Sequence, residues 1–192
     1  MNKADYDFFL KTPSQKQWKR IDTVRRAGVA TPLFSVYSKD SIGIGEIPDL
    51  KLLADWAKAA GMSIVQLLPL NDVGFDFRPY DSKSSFALEP MHLSFSALKS
   101  VDLKPFKDQI AALRKEFPTG GARVNYGVKG AKLRLLWPFY QQAVKAGLPA
   151  AFRRYVKDNS FWLNDYALFK VIKEKFEQKN WLEWPDEFRE RK

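Results

Sequence analysis

Two short apolar runs separated by a stretch of helical periodicity constrain this chain more than any other feature. Val29-Ala-Thr-Pro-Leu-Phe-Ser-Val36 and Ser63-Ile-Val-Gln-Leu-Leu-Pro-Leu70 are mostly apolar and carry β-branched residues, the pattern of strands covered on both faces. Between them Leu50, Leu53, Ala54, Ala57 and Ala60 recur at helical spacing, with Pro48 suited to the first turn and Gly61 to the C-terminal cap. A strand, helix, strand unit with a crossover of that length predicts a right-handed parallel βαβ and so an α/β fold. A doubly wound sheet and a (β/α)8 barrel both fit. In either, the loops leaving the carboxyl ends of the strands form the site; here they are Tyr37 to Ile47 and Asn71 to Ser85.

The rest of the chain reads as helical, with a change of character near Ser100 that separates residues 1–100 from 101–192. Phe106, Ile110, Leu113 and Phe117 form one amphipathic stripe, and Leu133, Leu136, Trp137, Tyr140 and Val144 another, kinked or restarted at Pro138. Ser160 can cap a third helix, in which Trp162, Leu163, Tyr166, Ala167, Phe169 and Ile172 leave few polar positions and predict deep burial. Two strands cannot cover their own faces and edges. The 192 residues, which stop at Glu190-Arg-Lys192, therefore read either as helices wrapped round a small sheet or as the amino-terminal portion of a larger barrel.

Composition removes several chemistries. Apolar residues make up 45% of the chain and aromatics 15%, too much burial-seeking surface for a disordered tail. Cysteine is absent and His92 is the single histidine, which excludes disulfides, thiolate nucleophiles and two-histidine zinc sites. Met1 to Lys11 lacks the basic cap and apolar stretch of a signal peptide, and no run is long enough to span a membrane; the cytoplasm is the expected compartment. The net charge is +10, with +1 in residues 1–98 and +9 in residues 99–192. The excess is spread along helical segments, as on solvated helix faces, rather than gathered into a nucleic-acid-binding run.

The glycine motifs do not hold phosphates. Ser41-Ile-Gly-Ile-Gly45 follows a strand, but the third glycine of a dinucleotide fingerprint falls on Pro48; the two glycines serve a tight turn or a close approach to the backbone. No Walker motif occurs, and Gly120-Gly121 to Gly130, with Arg123 and Lys129, reads as a surface loop. The loop after the second strand combines Asn71, Asp72, Asp76 and Asp81 with Phe75, Phe77 and Tyr80. Sugars offer hydroxyl edges to polar groups and C–H faces to aromatic rings, and such a loop supplies both; Asp and Asn making their own turns explain the same composition. Asp72, Asp76 and Glu89 show no sequence reason for shifted pKa values and are not assigned as an acid/base pair. His92 alternates in Met91-His-Leu-Ser-Phe95 as on a strand and is read as structural.

Gly28-Val-Ala-Thr-Pro-Leu-Phe-Ser35, Ser41-Ile-Gly-Ile-Gly-Glu46, Gln66-Leu-Leu-Pro-Leu70 and Pro79-Tyr-Asp-Ser-Lys-Ser-Ser-Phe-Ala-Leu-Glu-Pro90 together resemble the amino-terminal part of the 4-α-glucanotransferases (amylomaltases or disproportionating enzymes, glycoside hydrolase family 77). Val124-Asn-Tyr126, Lys132, Leu135-Leu136, Trp162-Leu-Asn-Asp-Tyr-Ala-Leu-Phe169 and Trp181-Leu-Glu-Trp-Pro185 are similar to the helical insertion these enzymes carry. The resemblance spans about residues 25 to 190. It implies a (β/α)8 TIM barrel, of which residues 1–100 give the first two parallel strands and residues 101–192 a helical insertion subdomain.

The activity it implies is transfer of α-1,4-glucan segments between maltooligosaccharides or starch and glycogen chains, by a retaining double displacement between two carboxylates. The family's catalytic carboxylates follow later strands, so the resemblance puts none in this chain and implies that the chain alone is inactive. It assigns Tyr80 to the sugar beside the cleavage point, puts Asp81 and Ser82 within reach of sugar hydroxyls, and places Phe75 where some members have a tyrosine in an accessory glucan groove. No metal or organic cofactor, nucleic acid or membrane partner is implied, and the oligomeric state is left open. A non-catalytic α-glucan-binding module and, less well, a basic nucleic-acid-interacting protein are the alternatives.

Overall fold

Proline sets the length of both strands. The computed structural model describes residues 3–22, 24–190 and 192; Met1, Asn2 and Arg191, within segments read above, lie outside them. After two short helices, α1 (Lys3–Phe9) and α2 (Gln15–Ile21), strand β1 covers only Gly28–Thr31 and gives way at Pro32 to a 3-10 turn over Leu33–Ser35. Strand β2 covers Ile64–Leu67 and ends before Pro69. Proline has no N–H to give to a ladder, so each expected eight-residue strand shortens to four. The two pair in parallel, Gly28 opposite Ile64 and Thr31 opposite Leu67, and they form a two-stranded sheet among the described residues. Exposed and half-buried positions alternate along both strands, so they are not covered on both faces as their apolar sequences led us to expect.

Helix α3 (Asp49–Ala59) joins the strands. Gly61, at φ 75°, closes it: its N–H reaches the Lys58 carbonyl at 3.0 Å and that of Met62 the Ala57 carbonyl at 2.8 Å, the paired bonds of a Schellman cap. The mixed helix and sheet order matches a partial α/β fold.

The core is built from the segments that follow the strands and from two helices beyond them. Helices α4 (Lys107–Glu116) and α5 (Gly127–Lys145) pack with the 41–46 loop and with two 3-10 turns, Pro90–His92 and Phe95–Ala97. Ile42, Ile44, Met91, Phe95, Leu113, Phe117, Val128 and Phe139 form one buried cluster. The strand-like alternation of Met91 to Phe95 is thus a pair of turns, opened by Pro90. Phe139 meets Phe95 and Phe106 edge-on, with ring centroids 5.0 and 4.8 Å apart. With this packing α5 continues as one helix through Pro138, so of the two sequence readings, a kink or a restart, the restart does not occur.

Helices α6 (Ala150–Asp158), α7 (Ser160–Lys175) and α8 (Asp186–Arg189) complete the order. The expected deep burial of α7 does not occur: none of its residues is fully buried, and Leu168 and Val171 face outward. Its apolar residues run round most of the helix, more surface than α6 and the Trp181–Arg189 segment can cover.

Gly45 sits where a side chain cannot. A Cβ there would run into the carbonyl oxygens of Leu33 and Val36, so the close approach at this glycine is by the protein's own backbone, while Gly43, at φ 65°, supplies the tight turn. Gly45→Ala should lower unfolding free energy in urea by more than about 3 kcal/mol. Gly61→Ala, with open space around the added methyl, should lose about 1 kcal/mol through its positive φ. Equal losses for the two would contradict this packing.

Candidate functional site

The loop leaving β2 is closed at its base. Asn71 and Leu88 form an antiparallel bridge; the Asp72 N–H donates to the Ala87 carbonyl, and the Glu89 N–H to the Leu70 carbonyl, both at 2.8 Å. Residues between them leave the fold as one excursion. Inside it Arg78 is an internal strut, its Nε donating to Asp76 at 2.6 Å and its Nη2 to Asp81 at 2.8 Å. The Arg78 bond, with help from the N–H groups of Arg78 and Phe77, holds the Asp76 carboxyl at about 2.

This scaffold presents Tyr80 and Phe75 to solvent, 76% and 74% exposed. Phe75 lines an open groove of about 1450 Å³ that runs between the loop, α5 and α7 and also takes in Arg78, Tyr126, Trp137 and Lys173. Phe77 stacks on Tyr126 at its wall, ring centroids 4.1 Å apart. Tyr80, Asp81 and Ser82 do not line this groove; Asp81 is tied to Arg78 and lies 3.5 Å from Lys83, and Ser82 is exposed. Of the four residues singled out by sequence, the groove therefore receives Phe75 alone.

Beneath the loops lie ionised groups that sequence reasoning placed elsewhere. Lys132, fully buried, donates from Nζ to Glu46 at 2.7 Å. Glu46 also accepts from the Ile42 N–H, and its own N–H donates to Asp49, which takes a 2.7 Å bond from Ser41 Oγ. Burial pulls the Lys132 ammonium below its ordinary pKa against the pull of Glu46. One turn away Lys129 donates to Glu89 at 2.6 Å and to the Gly74 carbonyl; it belongs to a helix and to the interior, not to a surface loop. Two charges of the basic half thus serve the core rather than a solvated face. Lys132 had a sequence signal, since Val128, Lys132, Leu135 and Phe139 fall at helical spacing on an otherwise apolar stripe.

Like Asp76, Asp72 and Glu89 have shifted pKa values, for which the sequence offered no reason. Burial pushes Asp72 up, but bonds from Lys170 at 2.7 Å, from the Tyr166 hydroxyl and from the Gly74 N–H at 2.7 Å outweigh it and hold the carboxyl below its ordinary range. Burial raises Glu89 despite Lys129, and Glu89 Oε1 is buried without a hydrogen-bond partner among the described residues. Tyr166 is raised by burial and by the Asp72 charge. No spacing in the sequence ties Tyr166 and Lys170 to Asp72, 94 and 98 residues away. His92 is buried and donates from Nδ1 to the Gly45 carbonyl at 2.8 Å, a structural role. Among the described residues no three acidic or histidine side chains gather as a metal site requires, and no helix is long and apolar enough to cross a membrane.

A sequence profile described as 4-alpha-glucanotransferase matches residues 31–192, which include both strand-end loops and helices α3 to α8. The chain belongs to the 4-alpha-glucanotransferase family. It is 36% identical over 176 residues to a 4-alpha-glucanotransferase of Chlamydia pneumoniae, covering 91% of this chain and 34% of that protein. It is 35% identical over 167 residues to 4-alpha-glucanotransferase DPE2 of Oryza sativa subsp. japonica, covering 83% of this chain and 17% of the relative. The match to a 4-alpha-glucanotransferase of Aquifex aeolicus is 32% over 171 residues, 88% of this chain and 33% of that protein. The chain thus spans 34% or less of the length of these relatives.

Two outcomes follow from the buried groups. Lys132→Met strands the Glu46 carboxylate in the core and should cost about 3–5 kcal/mol of unfolding free energy, with Glu46→Gln in the same chain recovering part of it; a loss under about 1 kcal/mol would show that the pair carries no such constraint. Burial holds His92 below the ordinary imidazole pKa of about 6.5, so the unfolded chain takes up a proton that the folded chain refuses as pH falls through that range. Stability of the wild type relative to His92→Asn should accordingly be full above about pH 7 and decline below about 6.5. Urea midpoints from pH 8 to 5 measure the difference, and parallel curves would refute it.

Proposed function

We propose that the chain is the amino-terminal portion of a 4-α-glucanotransferase, a transferase that moves α-1,4-glucan segments between maltooligosaccharides or starch and glycogen chains in the cytoplasm. In this reading residues 1–100 supply the first βα units of a (β/α)8 barrel and residues 101–192 a helical insertion. Tyr80, Asp81, Ser82 and Phe75 contact the glucan. The observation that carries the reading is the pair of exposed rings, Tyr80 and Phe75, held on a strand-end loop by an internal Arg78 strut. Rings placed this way offer flat apolar faces to sugar C–H groups without having to leave a core first.

Retaining transfer needs two carboxylates facing the scissile bond. The buried acids here are otherwise engaged: Glu46, Asp72 and Glu89 each accept from a lysine, and Asp49 from Ser41. Glu89, the one with a raised pKa, keeps its second oxygen buried, out of reach of a substrate proton. This supports a chain that binds and orients glucan and leaves bond cleavage to carboxylates outside it.

Titration of the chain with maltoheptaose tests the reading. Binding should occur without turnover, and Tyr80→Ala should weaken it by about three- to tenfold, the worth of one aromatic platform. An unchanged dissociation constant in Tyr80→Ala, or release of shorter and longer glucans by the chain alone, would overturn it.

A further inference from the structure

The Gly74 backbone is held on both sides, at its N–H by a side chain of its own loop and at its carbonyl by one from α5. Its N–H donates to Asp72 Oδ1 at 2.7 Å. The other oxygen of that carboxylate, Oδ2, accepts from the Tyr166 hydroxyl and, at 2.7 Å, from Lys170 Nζ, both on α7. The Gly74 carbonyl accepts from Lys129 Nζ on α5, which Glu89 holds at 2.6 Å. The next residue is Phe75, whose ring stands at the groove between these helices.

We propose that Asp72, Tyr166, Lys170 and Lys129 are positioning residues for the glucan: together they fix the Gly74 peptide and thereby aim the Phe75 ring into the groove. The inference rests on the glucan-binding reading of Phe75 given above. All four line the groove, but in this account their polar atoms are engaged with the loop and with one another rather than with the sugar.

The physical case is one of geometry and burial. Asp72 is 1% exposed, and a buried carboxylate stripped of its partners is costly, so the bonds that satisfy it are kept. Its two oxygens face different elements, one the loop and the other α7, so the same desolvation penalty that keeps it paired also keeps the loop on the helix. An exposed ring on a free loop would lose its rotational and backbone freedom on binding, which weakens affinity. Here the backbone part of that loss has already been met on folding. Phe75 gains an orientation from residues far from it in sequence, and affinity for glucan becomes dependent on how α7 sits.

A double-mutant cycle on the full chain separates positioning from general stability. Maltoheptaose affinity should fall about fivefold in Phe75→Ala, the worth of one stacked ring, and by a similar factor in Tyr166→Phe, which removes one bond to Asp72 and adds no bulk. The two together should lose little more than either alone, because a ring that is no longer aimed has nothing left to lose. Gly61→Ala, destabilised but remote from the loop, should bind as the wild type does, and Lys170→Arg, which keeps a cationic donor, should bind more tightly than Lys170→Met. Full affinity in both Tyr166→Phe and Lys170→Met, or losses that simply add in the cycle, would overturn the clamp while leaving the glucan reading in place. Absence of maltoheptaose binding by the wild type, or full affinity in Phe75→Ala, would instead remove the reading on which the clamp rests.

Discussion

Three lysine–carboxylate pairs, two buried at both ends and the third, Lys170 with Asp72, buried at its carboxylate alone, are the constraint to which the other features answer. Lys132 with Glu46, Lys129 with Glu89 and Lys170 with Asp72 each join a helix to a segment that follows a strand. Hydrophobic contact is tolerant of sliding, whereas a buried ammonium has one place to go. Lys129 and Lys132, three residues apart on α5, reach different loops, so a rotation of that helix large enough to improve one bond breaks the other. The pairs therefore fix helix register over a core that apolar packing alone would leave less specified.

That arrangement explains where the core lies. Strands of four residues bury little, and their alternating exposure shows it. The apolar cluster instead gathers around Phe95 and Phe139, beneath the loops. The loops here are thus supported from below by helices, which is why an eleven-residue helix such as α3 is less central to them than α5 is. Rigid support under a loop is what a binding surface needs if it is not to lose affinity in ordering itself.

Local signals in the sequence located the elements well and their lengths and neighbours poorly. The parallel pair, α3 with its Gly61 cap and the Phe106 to Phe117 stripe of α4 follow from periodicity and turn residues, which act over a few positions. Pro32 and Pro69 shorten the strands, whereas α5 continues without a restart through Pro138, next to Phe139 packed between two rings; the same residue type has opposite outcomes depending on tertiary packing. The exposed Phe75 and Tyr80 could be read as platforms from the loop's composition, but the bonds from Tyr166 and Lys170 to Asp72 depend on a fold that brings together residues more than ninety positions apart. Lys132 alone carries a local signal, its helical spacing with Val128, Leu135 and Phe139, which the stripe through Leu133 and Leu136 passed over.

The closed base of the second loop separates two kinds of change. Because Asn71 bridges Leu88 and the Asp72 and Glu89 amides are spoken for, the residues from Phe75 to Lys83 hang from a fixed doorway. Doubling the length of such a span costs only about 0.6 kcal/mol in closure entropy. Apart from Phe77, which packs against the core, insertions and substitutions between those positions can accumulate with little consequence for it, while the four residues at the hinge cannot drift. A lineage that inherits this chain can therefore alter the shape and chemistry of the loop's outer rim generation by generation without first having to solve the folding problem again.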